Sequence, residues 1–117
     1  MKFKIHFPAG YQQFNIDNGN LDANIILETG DVYFCTIFTL SNIRQLMNKE
    51  ESPYFWAMDM LIVDNLKKKT INAAVERIID EKNLDPILCK IGTIEEIYGE
   101  KRLFSDFDHM GDKLKIV

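Results

Sequence analysis

Two runs, Ala23–Glu28 and Val32–Thr39, joined by Thr29-Gly30-Asp31, constrain the fold more than any other feature of the chain. Short connections containing Gly close β-hairpins, because Gly accepts the positive φ that such turns need. The second run reads Val-Tyr-Phe-Cys-Thr-Ile-Phe-Thr. It is apolar or aromatic on both alternating faces, the pattern of a central strand covered on each side. A chain with such a strand needs further layers, from its own helices or from a partner.

The remaining segments supply them. Lys2–Phe7 alternates so that Phe3, Ile5 and Phe7 share one face and Lys2, Lys4 and His6 the other, which predicts a half-buried strand ended by Pro8-Ala9-Gly10. Thr39 or Ser41 can cap a short helix over Asn42–Lys49, with Ile43, Leu46 and Met47 facing inward. Ser52-Pro53 ends it, and Tyr54–Val63 predicts the next strand. Trp56, Met58, Met60 and Ile62 would lie on one face, and Phe55, Ala57, Asp59, Leu61 and Val63 on the other.

From Thr70 to Lys82, Ile71, Ala74, Val75, Ile78 and Ile79 form a full helical stripe. Asp85-Pro86 then reads as an N-cap and first helical residue, predicting a helix over Pro86–Ile91 stopped at Gly92. Thr93-Ile94-Glu95-Glu96 is a capping box before one more helical turn. Leu114–Val117 reads as a last edge strand or a frayed tail. The expected architecture is a single α+β domain spanning 1–117. It has a mainly antiparallel sheet of about four to five strands and about two to three helices, the main one at 70–82.

With 117 residues, 46% of them hydrophobic, the chain suits one core rather than two. No apolar run approaches the roughly 18 residues of a membrane span, and the start lacks the apolar stretch of a signal peptide, so a cytoplasmic protein is expected. Cys35 in a strand-like run and Cys89 in a helix-like one read as free thiols in the core. The 14 Lys and Arg against 18 Asp and Glu leave a net charge of −4, which argues against nucleic-acid binding and favours a basic protein partner. Residues 17–64 hold Asp17, Asp22, Glu28, Asp31, Glu50, Glu51, Asp59 and Asp64 against only Arg44 and Lys49. That segment alone is −6, and the rest of the chain is slightly positive.

Few residues suggest chemistry. Asp106, Asp108, His109 and Asp112 include the carboxylate and imidazole ligands that Mg²⁺, Mn²⁺ or Zn²⁺ uses, yet they fall in one stretch without a clear pattern, and a solvated acidic loop is the plainer reading. Asp59 within an apolar run must reach solvent, find a partner or serve a function. Cys35 and His6 would make a thiolate–base pair if their strands met, though an apolar strand raises a thiol's pKa and silences it. Lys67-Lys68-Lys69 opposes the macrodipole of a helix beginning there, which favours a loop. No Gly-rich phosphate loop, GxSxG, HExxH or paired CxxC occurs. The expectation is no catalytic residue, no metal and no cofactor.

The run Asn24–Phe34, the run Tyr54–Val63 and the helix after it resemble, in style, the small acidic immunity proteins that bacteria carry beside polymorphic or contact-dependent toxins. The resemblance implies a protein that binds a cognate toxin and blocks it without catalysis. It carries over no binding residue. From the chain's own acids and aromatics, the expected partner-binding set is Asp31, Glu50, Glu51, Tyr54, Trp56, Asp59 and Asp64. The acids would steer a basic partner and an aromatic would anchor it. A homodimer or homo-oligomeric scaffold is the alternative, followed by an enzyme of unrecognised type; neither nucleic acid nor membrane is expected as a partner.

Overall fold

A computed structural model describes residues 1–11 and 15–111. The predicted Leu114–Val117 strand and Asp112 lie outside the described residues. The order of elements is β1 (Phe3–His6), β2 (Asn20–Leu27), β3 (Asp31–Thr39), α1 (Leu40–Lys49), β4 (Met60–Val63), α2 (Lys68–Asp80), α3 (Leu84–Ile87), β5 (Cys89–Thr93) and α4 (Ile94–Tyr98). A 3₁₀ turn follows at Phe104–Asp106. This is the expected α+β fold. Its five-stranded sheet is antiparallel except where β4 runs parallel to β3.

The hairpin forms as its sequence demands. Gly30 takes φ +96 between β2 and β3, in open space, so its requirement is backbone freedom rather than room. Opposite registers pair Ile25 with Tyr33 and Ala23 with Cys35, and β1 adds Ile5 beside Ile25. Ile5, Ala23, Ile25, Cys35 and Ile37 are fully buried on one face, together with Ile71 and Val75 of α2. Burying one such branched side chain contributes about 1.5–3 kcal/mol, so this layer dominates the stability. On the other face, Ile26 and Val32 are covered by Ile94 and Phe107, with Tyr98 and Phe104 beside them. The doubly apolar β3 is thus covered on both faces by its own chain over part of its length.

The outer edge of β3 is divided between two partners. Asp31–Phe34 pair antiparallel with β5, and Thr36–Thr39 pair parallel with β4. That division corrects the ten-residue strand expected at Tyr54–Val63. Extended backward in the same register, residues before Met60 would need positions on β3 that β5 already holds. Only Met60–Val63 is strand; Tyr54–Ala57 is irregular, and Met58-Asp59 is a turn in which Asp59 has φ 51.

Three further expectations change. The helix expected at Pro86–Ile91 is the single turn α3, which starts after Asn83 without a side-chain cap, because Asp85 turns its carboxylate to the Tyr33 hydroxyl rather than to its own helix. The chain after it is β5, where Gly92 with φ +151 pairs with Val32 at a bulge that leaves Ile91 unpaired. Cys89 is therefore exposed on a sheet edge rather than in the core, whereas Cys35 is buried; both are free thiols.

The lysine run is not a loop, since Lys68 and Lys69 open α2. The Asn65 carboxamide accepts from Lys67 N at 3.0 Å and Thr70 Oγ1 at 2.7 Å, and the Lys68 ammonium lies 4.9 Å from the Tyr11 ring centroid. These partners offset the unfavourable dipole. No helix among the described residues is long and apolar enough to cross a membrane.

Candidate functional site

β3, α1 and β4 form a parallel crossover, and that excursion departs from the rest of the domain. Parallel neighbours cannot be joined by a tight turn, so the chain must leave the sheet between Thr39 and Met60. Thr39 is fully buried, and its Oγ1 caps α1 by accepting from Asn42 N at 3.2 Å. The Asn42 carboxamide accepts from Asn20 Nδ2 at 2.8 Å and donates to Asn18 Oδ1 at 3.4 Å. Polar bonds thus hold the start of α1. Asn42 is the only buried residue of α1, and no apolar residue of this helix belongs to either core.

Beyond α1, the Phe55 ring meets Phe38 edge-on, with centroids 5.1 Å apart. Asp59 O accepts from Thr36 N at 3.0 Å, which brings the chain back to the sheet. Because Phe55 takes the inward position, its neighbours face water. Tyr54 is 65% exposed, Trp56 68% and Met58 73%. Leu40 and Ile62 are also exposed, so half of the large exposed hydrophobics on the described chain fall between residues 40 and 62. Single exposed apolar residues are ordinary, whereas several on one excursion make it the candidate site of this chain.

Six of the seven residues expected to bind a partner lie on or beside this crossover. Glu50 and Glu51 are exposed at the end of α1, Tyr54 and Trp56 lie on the irregular segment, Asp59 is in the turn before β4, and Asp64 is exposed just after it. Asp31 does not join them. It sits at the opposite end of β3, where Lys90 Nζ lies 3.0 Å from its carboxylate. Leu40, Met58 and Ile62 went unmarked in the sequence because an apolar residue in a periodic element is normally core. Asp22 is a further acid near this surface: it lies opposite Thr36, which donates to it at 3.2 Å.

The Cys35 thiol is pushed up to about 12 by burial, then by the charges of Asp22 and Asp59. His6 pairs with Asn24 and therefore lies on the face opposite Cys35, so the two do not form a nucleophile–base pair. His6 Nδ1 instead lies 2.8 Å from the Tyr98 hydroxyl, which also accepts from Asn24 Nδ2 at 2.7 Å.

In the acidic stretch, Asp106 Oδ2 accepts from Leu103 N at 2.8 Å and His109 Nε2 lies 2.5 Å from Asn72 Oδ1. Phe107 and Met110 are buried, so this segment is packed rather than a free loop. Among the described residues no group of three or more His, Cys, Asp or Glu side chains could hold a metal ion. Compared with protein-family models, curated proteins and solved structures, the chain matches none of them.

Proposed function

We propose that this protein is a non-catalytic binding module that engages a basic protein partner through the Leu40–Asp64 crossover. In its specific form it is a cytoplasmic immunity protein that neutralises a cognate bacterial toxin by binding it. The observation that carries the reading is the cluster of exposed Tyr54, Trp56 and Met58 beside acids that have no ion pair. The ion pairs Arg77–Glu81 and Lys90–Asp31 lie elsewhere, and among the described residues none forms at Glu50, Glu51, Asp59 or Asp64. Aromatic anchors supply affinity in a desolvated centre, and rim charges supply steering and fast association.

Co-expression with a toxin encoded beside this protein is the direct test. Survival, together with a one-to-one complex on a sizing column, is the expected result. If cells die equally with and without the protein and no complex is recovered, the immunity reading is wrong. A homodimer that buries the same aromatics is the second reading, favoured by the exposure of Tyr54, Trp56 and Met58 but opposed by the shared net charge of −4.

A further inference from the structure

The backbone of β4 is unpaired along its outer side. Thr36 N donates to Asp59 O at 3.0 Å, and Thr36 stands in register with Met60. In a parallel pair a residue of one strand bonds the two residues that flank its partner. The Asp59 carbonyl and the Leu61 backbone groups therefore face β3, and Met60 and Ile62 turn their amides and carbonyls outward. β4 ends the sheet on that side, and no backbone bond among the described residues reaches Met60 or Ile62 from beyond it.

The other margins of the sheet are guarded. Lys90 and the bulge at Ile91 interrupt the edge of β5, and Gly111 covers the end of β1, accepting from Phe7 N at 3.0 Å. Charges, bulges and covering segments are the usual means by which a sheet avoids stray pairing. Met60-Leu61-Ile62-Val63 carries no charge, proline or bulge, and Ile62 is 47% exposed.

Charge selects the strand that fits. Asp59 and Asp64 bracket β4 and form no ion pair among the described residues, and Asp22 lies in the same cross-strand row as Met60, through Thr36. A second copy would pair antiparallel about Leu61, setting Met60 against Ile62. Each Asp59 would then stand one residue from Asp64 of the other copy, across a strand spacing of about 5 Å. Like charges so placed oppose pairing at both ends. A strand with cations on either side of an apolar centre meets the same two acids favourably and keeps the same backbone bonds.

Building on the protein-binding reading, we propose that the β4 edge receives an extended strand of the partner, with its apolar centre along Met60–Ile62 and its flanking lysines or arginines at Asp59 and Asp64. Met60 and Ile62 supply the main-chain hydrogen bonds, and the two acids select the sequence.

The test uses the full chain and three capped peptides: Lys-Val-Thr-Val-Thr-Lys, the same peptide with glutamate at both ends, and the lysine peptide methylated at every backbone nitrogen. The amide signals of Met60 and Ile62 should shift saturably with the lysine peptide, less so at high salt, and stay unmoved with the other two. Asp59→Asn with Asp64→Asn should weaken binding several-fold. Ile62→Pro removes a donor that faces outward and breaks no bond to β3, so binding should be lost with the urea midpoint little changed. If that variant fails to fold, the methylated peptide decides the same question. No saturable shift up to about 1 mM lysine peptide, or equal binding of either control, overturns the proposal. A dimer in sedimentation that Ile62→Pro dissociates also overturns it, in favour of a second copy. A toxin complex lost through Trp56→Ala but indifferent to Ile62→Pro would leave protein binding standing and reject the edge. Peptide pairing at β4 without rescue of cells from the toxin would uphold the edge and reject the immunity reading.

Discussion

Phe55 meets Phe38 at an interplanar angle of 75°, and this ring pair ties the irregular part of the crossover to the sheet. Phe38 is buried at the end of β3, so Phe55 acts as its lid, while the residues on either side of Phe55 remain in water. An element anchored at one aromatic contact can present its neighbours without burying them.

Removing that lid should loosen the excursion more than the domain. Phe55→Ala is expected to cost about 1–3 kcal/mol, less than truncation of a fully buried Phe, because Phe55 is only half-buried. Hydrogen exchange should accelerate in residues 54–60 and stay slow in β2. Uniform acceleration across the sheet would show that the crossover is part of the cooperative core.

The helical stripe of α2 supplies a control on the core assignment. Ile78 is buried and Glu76 is exposed. Ile78→Asp should destabilise by several kcal/mol, through burial of an unpaired carboxylate, whereas Glu76→Ala should stay within about 0.5 kcal/mol. Urea midpoints for the two variants decide the matter, and similar shifts would contradict the face assigned to α2.

A pH effect follows from Tyr33. Its hydroxyl donates to Asp85, and this bond, then burial and the charges of Asp85 and Asp31, raise its pKa from 10.0 to about 12. A raised pKa in the folded state means that the protonated form stabilises the fold. That contribution is complete below about pH 10, the unfolded value, and is lost as pH rises toward about 12. Tyr33→Phe should lower stability at neutral pH and flatten this alkaline decline. An equally steep decline in the variant would assign it to other tyrosines.

Asn24 gives a fourth expectation. It is buried, its Nδ2 donates to Tyr98, and its Oδ1 has no hydrogen-bond partner among the described groups. Tyr98→Phe removes the acceptor and leaves the rest of the carboxamide unsatisfied, a cost of about 1–3 kcal/mol. Adding Asn24→Leu to that variant should recover part of the loss, since an apolar side chain has nothing to satisfy. A double variant weaker than Tyr98→Phe alone would show that Asn24 has another essential role.

The sequence by itself determined what depends on neighbours along the chain. The hairpin around Gly30 was legible because positive φ and alternating burial are local requirements. The α2 stripe was legible because its period is local, and the capping box at Thr93 because both partners lie within four residues. The Thr93 side chain accepts from Glu96 N, and the Glu96 side chain accepts from Thr93 N. The acids and aromatics of the candidate surface were visible as residue types, and most were named.

Tertiary structure decided what depends on competition for a shared partner. Tyr54–Val63 has the pattern of a long strand, but β3 has one free edge and β5 occupies half of it, so Trp56 and Met58 leave the sheet for solvent. β5 itself was hidden, because Asp85-Pro86 and Gly92 carry helix signals that the Tyr33–Asp85 bond and the bulge at Val32 override. Asp31 was placed among the binding residues by its charge, yet Lys90, distant in sequence, takes it at the far end of the sheet. Local pattern sets which conformations a segment can adopt; edge pairing and long-range contacts select among them, and here that selection leaves Leu40, Tyr54, Trp56 and Met58 exposed.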